Sequence, residues 1–495
     1  MSQPGNYASL LERAIKGIAW SAISSWGSQL TQFVTMIVLA RLLSPTDFGL
    51  ISLANIFIHF VQALIGSGFS DAIVQRDDLE TEHLDTAFWI NLGIGLTLTS
   101  IGVLSAGLVA SFFRQPLLVP IVSWLSLNVL INSIASVHEA ILRRKLKFKQ
   151  LAIRRLIGLV IGAIVGITLA LNGFGVWSLV CQTLVGNTVD VILLLNLSQW
   201  SPRFHLSLKH FQDLFSFGIN VVGNGILTFV SNRSDDLIIG YFLGAEVLGY
   251  YAVAYKLLVV MSQLFGQTVQ KVVLPTFSRL QGDPEQLKRS FYSGSQLLNL
   301  IAFPAFLGMA VLAPELVSTI FGEQWAFSGQ VMQVLAFVGV IDSAAYFSGA
   351  IFMAKGRPDW LFKLLLFHTV IMTSAFLIAV PYGLIMIALA RVVATLILFT
   401  LGLWLLCKLV QLDLLTYFKH LSTPLIASLL MACAILIAKS LVENFIGLKI
   451  GENLLLGGYI FLGGITYGLA ILLIEPRIIK KMYDLGKLAL PGHKA

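Results

Sequence analysis

The stretch IVLARLLSPTDFGLISLA, residues 37–54, closes one apolar segment, turns, and opens the next. A second stretch, LIIGYFLGAEVLGYYAVA, occupies residues 237–254 and lies over the first when the chain is shifted by 200 residues. Leu43, Gly49 and Ala54 are identical in the second copy. The same shift aligns the first and second apolar segments with the seventh and eighth. The chain is therefore predicted to contain an internal repeat.

The turn in each copy carries the signals of a new helix. In the first copy Ser44 precedes Pro45, and Asp47 follows three residues after the serine, which predicts a capping box with proline at the first helical position. In the second copy Gly244 and Glu246 fill similar places. Each copy is thus predicted to be a helix, a tight turn and another helix.

The composition places these helices in a membrane. Of the 495 residues 57% are hydrophobic and only 12% are charged, about half the charge of an average soluble protein. The mean hydropathy is +0.85, and the apolar runs are about twenty residues long, which is enough to cross a bilayer. The three cysteines lie within apolar runs, so neither a disulfide framework nor a metal site is predicted. The polar N-terminus lacks the pattern of a removable signal peptide.

Fourteen apolar segments are predicted to span the membrane, beginning near residues 17, 48, 86, 117, 154, 174, 217, 247, 292, 331, 360, 383, 421 and 453. The pairs at 154/174 and 360/383 are the closest in sequence. The expected fold is an all-α polytopic membrane protein of about 14 transmembrane helices, with two six-helix lobes related by a parallel repeat around a central cavity. The predicted divisions are residues 1–210, residues 211–412, and residues 413–495, the last holding two extra helices and a basic tail. This layout is typical of rocking transporters.

The distribution of positive charge predicts the orientation. With the N-terminus in the cytoplasm, 26 of the 33 Lys and Arg residues fall on the cytoplasmic side and three fall outside. Four lie within spans. The net charge of +8 is therefore explained by topology, and a nucleic-acid partner is not expected. Seven of the cytoplasmic cations lie in HEAILRRKLKFKQLAIRR, residues 138–155. This cluster either anchors the chain to anionic headgroups or attracts a phosphate-bearing lipid substrate.

Several stretches carry a resemblance to a known family: VLARLLSPTDFGLISLANIF, GFSDAIVQR, RRKLKF, DDLIIGYFLGAEVLGYYAVAYKL and VVLPTFSRLQGD. Over about residues 10–410 the chain resembles the WzxC-like bacterial polysaccharide-transport flippases. They belong to the multidrug/oligosaccharidyl-lipid/polysaccharide (MOP) superfamily, which also includes MATE-like and MurJ-like transporters. The last two spans match that family in hydropathy alone.

The resemblance implies a function and its partners. It implies translocation of polyprenyl-pyrophosphate-linked oligosaccharide from the inner to the outer leaflet of a bacterial plasma membrane by alternating access. Membrane lipids are expected partners, and a polysaccharide polymerase or export machinery is a further one. No cofactor is expected. Because the sequence has no Walker A motif, an ion gradient or the membrane potential is the expected energy source.

Two alternatives come from the same superfamily, and a third is an enzyme. A lipid II flippase also tends to have fourteen spans, whereas a cation or drug antiporter usually has twelve spans and a more acidic cavity. The buried Arg and Lys residues disfavour the antiporter, because they repel a cationic substrate. A membrane enzyme of glycan assembly is disfavoured because the sequence shows no catalytic constellation.

Ionisable and polar residues within the spans are the candidate site residues, since charge in hydrocarbon is costly. The substrate-cavity candidates are Arg233, Asp235, Asp236, Lys256, Tyr255, Arg391, His59 and Gln62, and the ion-coupling candidates are Asp342 and Asp190.

Each candidate has a structural alternative. Arg233 either contacts the substrate anion or forms an i,i+3 ion pair with Asp236. Lys256 and Arg391 either line the cavity or pair with acids such as Asp342. Asp342 and Asp190 are coupling sites or hydrogen-bonded carboxylates, and His59 is a proton relay or a packing residue. For His138 and Glu139 a helix-end salt bridge is expected.

Overall fold

The computed structural model describes residues 4–65, 73–75, 78–445 and 451–476, with only the backbone given in parts of the helices. The basic tail predicted at the C-terminus begins at residue 477 and lies outside these ranges. No strand occurs in the described residues. The long helices are α1 (Pro4–Leu42), α2 (Pro45–Ile65), α3 (Thr81–Phe112), α4 (Leu118–Arg144), α5 (Phe148–Leu171), α6 (Trp177–Ser198), α7 (Leu208–Phe242), α8 (Ala245–Arg279), α9 (Pro284–Phe321), α10 (Ala326–Ala345), α11 (Ser348–Ala354), α12 (Pro358–Ala379), α13 (Leu384–Val410), α14 (Leu414–Phe445) and α15 (Glu452–Ile474).

Each of the fourteen predicted segments coincides with one of these helices, the tenth with α10 and α11 together. The close pairs are separate helices. Gly175, with φ +54°, turns the chain between α5 and α6, and Gly383, with φ +91°, does so between α12 and α13. Twelve segments of the described chain are long and apolar enough to cross a membrane, and α1 and α7 are not among them. The all-α membrane fold is confirmed, while the count of fourteen spans stays a prediction.

The chain divides into two compact units, residues 1–252 and 253–495. In the first unit α5 packs on α6 and α1, α4 packs on α3 and α6, and α2 packs on α7. In the second unit α9 is the central helix, with α10, α14 and α15 against it, and α13 packs on α10 and α12. The two last helices therefore belong to the core of the second unit. The predicted lobe boundaries near residues 210 and 412 stay a prediction.

Many apolar side chains face outward from both units. Leu104 of α3, Ile378 of α12 and Leu473 of α15 are 82%, 72% and 84% exposed. In water such surfaces would be an aggregation hazard, whereas in a bilayer they face lipid tails. The outward faces thus agree with a membrane location.

The capping box predicted at the start of α2 is confirmed. The backbone N–H of Ser44 donates to the Asp47 carboxylate at 3.0 Å, and the backbone N–H of Asp47 donates to the Ser44 hydroxyl at 3.2 Å. In the second copy Gly244 has φ +88°, a left-handed conformation that favours glycine. Both copies therefore make a tight helix-to-helix turn, by different chemical means.

The two copies of the repeat meet at their glycines, within the first unit. A Cβ atom on Gly49 would overlap the backbone carbonyl oxygen of Ala245, and a Cβ on Gly249 would overlap the carbonyl oxygen of Pro45. Pro45 and Ala245 correspond to each other in the repeat, as do the two glycines. The contact is therefore reciprocal: the first turn of α2 and the first turn of α8 cross with backbone against backbone, as small residues permit between membrane helices.

We predict that Gly49→Ala destabilises the protein by roughly 1–3 kcal/mol or more, because the new methyl group overlaps a backbone atom that no side-chain rotation can move. The measurement is the thermal unfolding midpoint of the purified protein in detergent. Gly107→Ala is the matched control, since a Cβ on that helical glycine meets nothing within 4 Å. Equal midpoints for the two variants would contradict the close crossing.

Candidate functional site

Arg233, Asp235 and Asp236 lie near the end of α7. The Arg233 guanidinium pairs with the Asp236 carboxylate at 2.8 Å, in the i,i+3 geometry that the sequence suggested. Asp235 is 3% exposed, and its carboxylate accepts a hydrogen bond from the hydroxyl of Tyr251 in α8 at 2.7 Å. The Arg233 side chain is 37% exposed. Asp235 is thus buried in the contact of α7 with α8, and the guanidinium is the most exposed of the three charged groups.

Tyr251 was missed among the candidates, although it lies in the repeated stretch. It is fully buried beside Gly249 and Gly244, at the junction described above. Its hydroxyl group holds the Asp235 carboxylate and so ties the end of α7 to the start of α8. Its position two residues after Gly249, in the repeated stretch, is the sequence feature that could have identified it.

His59 and Gln62 lie one turn apart on α2. The His59 ring nitrogen Nδ1 is 3.2 Å from the Gln62 side-chain oxygen. Phe60, between them in sequence, packs on Phe229 of α7 with ring centroids 5.4 Å apart. His59 and Gln62 therefore lie beside the face of α2 that packs on α7.

Asp190 lies on α6 in a charged cluster that joins three helices. Its carboxylate accepts a hydrogen bond from Arg154 of α5 at 2.8 Å, and the same guanidinium bonds Glu139 of α4 at 2.8 Å. Arg143 bonds the other oxygen of Glu139 at 2.6 Å. Arg154 is only 5% exposed. Sequence reasoning assigned this arginine to the cytoplasmic cluster, so its burial between two carboxylates is a finding of the structure.

Glycines bring α5 and α6 close enough for this cluster. A Cβ on Gly158 would lie 2.7 Å from the Gly186 carbonyl oxygen, and one on Gly162 would lie 2.6 Å from the Gln182 carbonyl oxygen. Gly158, Gly162 and Gly166 recur at four-residue spacing in α5. This small-residue stripe is the signal that could have paired α5 with α6 from the sequence.

The salt bridge expected at the end of α4 is confirmed for Glu139. His138 makes a different contact: its Nδ1 is 2.7 Å from the hydroxyl of Ser198, the last residue of α6. His138 is therefore a buried packing residue between α4 and α6, and its ring also lies against Trp200 and Phe88.

The remaining candidates belong to the second unit. The Arg391 guanidinium of α13 donates to the Tyr255 hydroxyl at 2.9 Å and lies 4.4 Å from the centroid of that ring. Asp342 of α10 is exposed, with Arg391 as its charged neighbour. Lys256 is half-buried one residue after Tyr255. An arginine held on a tyrosine keeps its charge and gains orientation, as suits the recognition of an anion.

The structure therefore groups the ten candidates into four places, and two of them are neighbours, because the Arg233 charge acts on His59. Three are in the first unit, around Arg233, His59 and Asp190, and one is in the second unit, around Arg391. The assignment of substrate-binding or ion-coupling roles to these residues stays a prediction.

The comparisons with known proteins identify the family. A family model described as "Polysaccharide biosynthesis protein" matches residues 38–330, more than half of the chain. The chain belongs to this family. The matched region contains both copies of the repeated junction and the charged cluster around Arg154.

Relatives of known name extend the likeness to the whole chain. The chain is 29% identical to "Succinoglycan biosynthesis transport protein ExoT" of Rhizobium meliloti over 96% of both chains. It is 28% identical to "Lipopolysaccharide biosynthesis protein WzxC" of Escherichia coli over 75% of this chain and 76% of that one. The WzxC-like resemblance stated from the sequence is thereby confirmed.

A solved structure shows the same fold. "Lipid II flippase MurJ, inward closed conformation" superposes with a TM-score of 0.77 over 93% of this chain and all of that chain, at 15% sequence identity. This likeness concerns the fold alone. The chain is a multi-pass membrane protein with the fold of a MOP-superfamily transporter, and the prediction of a transporter rather than an enzyme is confirmed.

We predict that Tyr251→Phe lowers the free energy of unfolding by roughly 1.5–3 kcal/mol, because a buried carboxylate loses a charge-assisted hydrogen bond. Tyr250→Phe is the control, since its hydroxyl meets the exposed Glu246 at 3.3 Å and should contribute about 0.5 kcal/mol or less. Thermal unfolding of the two purified variants makes the comparison. A larger loss for the Tyr250 variant would refute the structural role of Tyr251.

We also predict that Arg154→Met destabilises the first unit by roughly 3–5 kcal/mol, because Glu139 and Asp190 are left as partly buried carboxylates without their shared partner. Arg155→Met, one residue further and exposed, is the matched control. The triple variant that adds Glu139→Gln and Asp190→Asn should recover part of the loss in thermal stability. If Arg154→Met unfolds at the same temperature as Arg155→Met, the shared ion pair carries no stability.

Proposed function

We propose that this protein is a flippase that moves polyprenyl-pyrophosphate-linked oligosaccharide from the inner to the outer leaflet of the bacterial inner membrane. The observation that carries the proposal is the full-length similarity to a protein named as a polysaccharide transport protein, over 96% of both chains. The transporter fold supports it. The substrate class comes from the names of the relatives and from the resemblance in the sequence.

The physical demand of this task fits the composition of the chain. A pyrophosphate carries charge that cannot enter hydrocarbon without a polar path, since each unpaired charge costs several kcal/mol. Cations inside the spans provide such a path. Arg391 with Tyr255 in the second unit, and Arg233 in the first, are the guanidinium groups that we propose meet the anionic head, with Lys256 as a further contact.

The remaining candidates fit supporting roles. We propose His59 and Gln62, and the carboxylates Asp235 and Asp236, as polar wall of the substrate path. Asp342 and Asp190 are proposed as the groups that couple transport to an ion gradient or to the membrane potential. The excess of Lys and Arg on alternate loops supports cytoplasmic N- and C-termini. Contact with a polysaccharide polymerase or export machinery is part of the same proposal.

The test is a deletion strain of the bacterium that carries the gene. We expect lipid-linked repeat units to accumulate in the inner leaflet and surface polysaccharide to fall at least tenfold, because translocation is then the missing step. Both are measured by radiolabelled lipid extraction and polysaccharide quantification. Complementation with the intact gene should restore export, which controls for effects on neighbouring genes.

Two outcomes would contradict the proposal. Unchanged surface polysaccharide without accumulated lipid-linked units would remove the flippase assignment. Accumulation of the cell-wall precursor lipid II in its place would favour the lipid II flippase, the alternative that the shared fold leaves open.

A further inference from the structure

A cavity of about 820 Å³ lies in the first unit and is lined by residues of α1, α4, α5 and α6. Its size falls in the range of about 300–1,000 Å³ that small-molecule sites occupy. The charged cluster of Arg154 forms one end, beside the connection of α4 to α5. From there the cavity extends to Asn132, near the middle of α4, and to Gln32, ten residues before the end of α1. The cavity therefore reaches the depth of the bilayer core.

Side-chain amides are the distinctive groups of its wall. Gln32 of α1, Asn132 of α4 and Gln182 of α6 all line the cavity, and none bonds another residue that the structure describes. Each amide offers two N–H donors and a carbonyl acceptor. A polar group at this depth is costly unless it finds a partner. Three such groups from three helices therefore indicate a ligand or waters that both donate and accept hydrogen bonds.

At the charged end of the cavity the buried cation is already bonded to acids. Its buried guanidinium, Arg154, already bonds both Glu139 and Asp190 at 2.8 Å. Arg143 is likewise engaged by Glu139. The two carboxylates would repel a phosphate that approached the buried arginine. The exposed Arg155 also lines this end, so the charged side chains there are three cations and two acids. The carboxylates, guanidinium groups and neighbouring amides together match hydroxyl groups, which donate to carboxylates and accept from amides and guanidinium groups.

We propose that this cavity is a binding site for a polyhydroxylated ligand, namely one or more sugar residues. Phe148 at the charged end adds an apolar surface for the C–H face of a sugar ring. The sugar is either the glycan of the lipid-linked substrate, which rests on the proposed function, or a soluble saccharide. This site differs from Arg233 and Arg391, which we propose bind the pyrophosphate. Its side chains instead match the hydroxyl groups of a sugar.

Binding is tested on the full-length purified protein in lipid nanodiscs by saturation-transfer NMR and calorimetry. The probes are oligosaccharides released by mild acid from the surface polysaccharide of the strain that carries the gene, neutral methyl hexosides, and inorganic pyrophosphate. We expect saturable binding of the released oligosaccharides, weaker binding of the hexosides, and none of pyrophosphate at the same site.

Two substitutions, combined in one double variant, remove two of the three side-chain amides. Neither breaks a side-chain hydrogen bond between described residues, so the double variant should fold. Asn132→Leu and Gln182→Met together should weaken oligosaccharide binding roughly tenfold or more, because two donor–acceptor groups are lost. Asn172→Leu, in the exposed turn after α5, is the control and should bind as the unaltered protein does. Unfolding midpoints establish that the double variant and the control are folded.

The results separate the possible occupants. No saturable sugar binding, or equal binding by the double variant and the control, would overturn the proposal. Pyrophosphate competing with the sugar at this cavity would replace it with an anion site. If the released oligosaccharides bind more tightly than any hexoside, the natural ligand is the substrate glycan and not a soluble saccharide. Because binding is measured on purified protein and export in cells, the sugar site and the flippase function can fail separately.

Discussion

The close contact between α2 and α8 constrains the architecture of the first unit. Gly49 and Gly249 bring backbone to backbone, and the hydroxyl of Tyr251 then reaches the carboxylate of Asp235 at 2.7 Å. Side chains larger than hydrogen at either glycine would separate the helices and leave that carboxylate without its donor. In a bilayer, where lipid tails are as apolar as the side chains, such packing and hydrogen bonding take the place of the hydrophobic effect as the force that joins helices.

The charged side chains inside the spans are also held by specific partners. Arg154 is shared by two carboxylates on two other helices, and Arg233 is held by an acid on its own helix. Arg391 lies on the ring of Tyr255, with Asp342 as its charged neighbour. The first arrangement joins three helices, the second is confined to one helix, and the third joins α13 to α8. The three arginines therefore differ in how many helices their partners connect.

Sequence reasoning reached the all-α membrane fold, the order of the long helices and the capping box because each depends on local composition and spacing. Several helices begin earlier than the apolar segments, such as Pro4 for the segment near residue 17. The pair Arg233–Asp236 was foreseen for the same reason, since both residues lie on one helix. Arg154 with Asp190, and Asp235 with Tyr251, were not foreseen. These pairs join different helices, and their contact depends on which faces meet, which hydropathy does not encode. The four-residue spacing of glycines in α5, and the glycine common to both repeats, indicate which helix faces meet.

The reciprocal contact also has the form of a dimer interface. Pro45 meets Gly249 and Gly49 meets Ala245, so corresponding residues exchange places across the crossing, as the two subunits of a symmetric homodimer do. A half-length ancestor with one such turn would make the same contact with a second copy of itself. A side chain at either glycine would meet a carbonyl oxygen of the other copy, so the two positions share one constraint, whereas the corresponding positions Thr35 and Asp235 differ in charge.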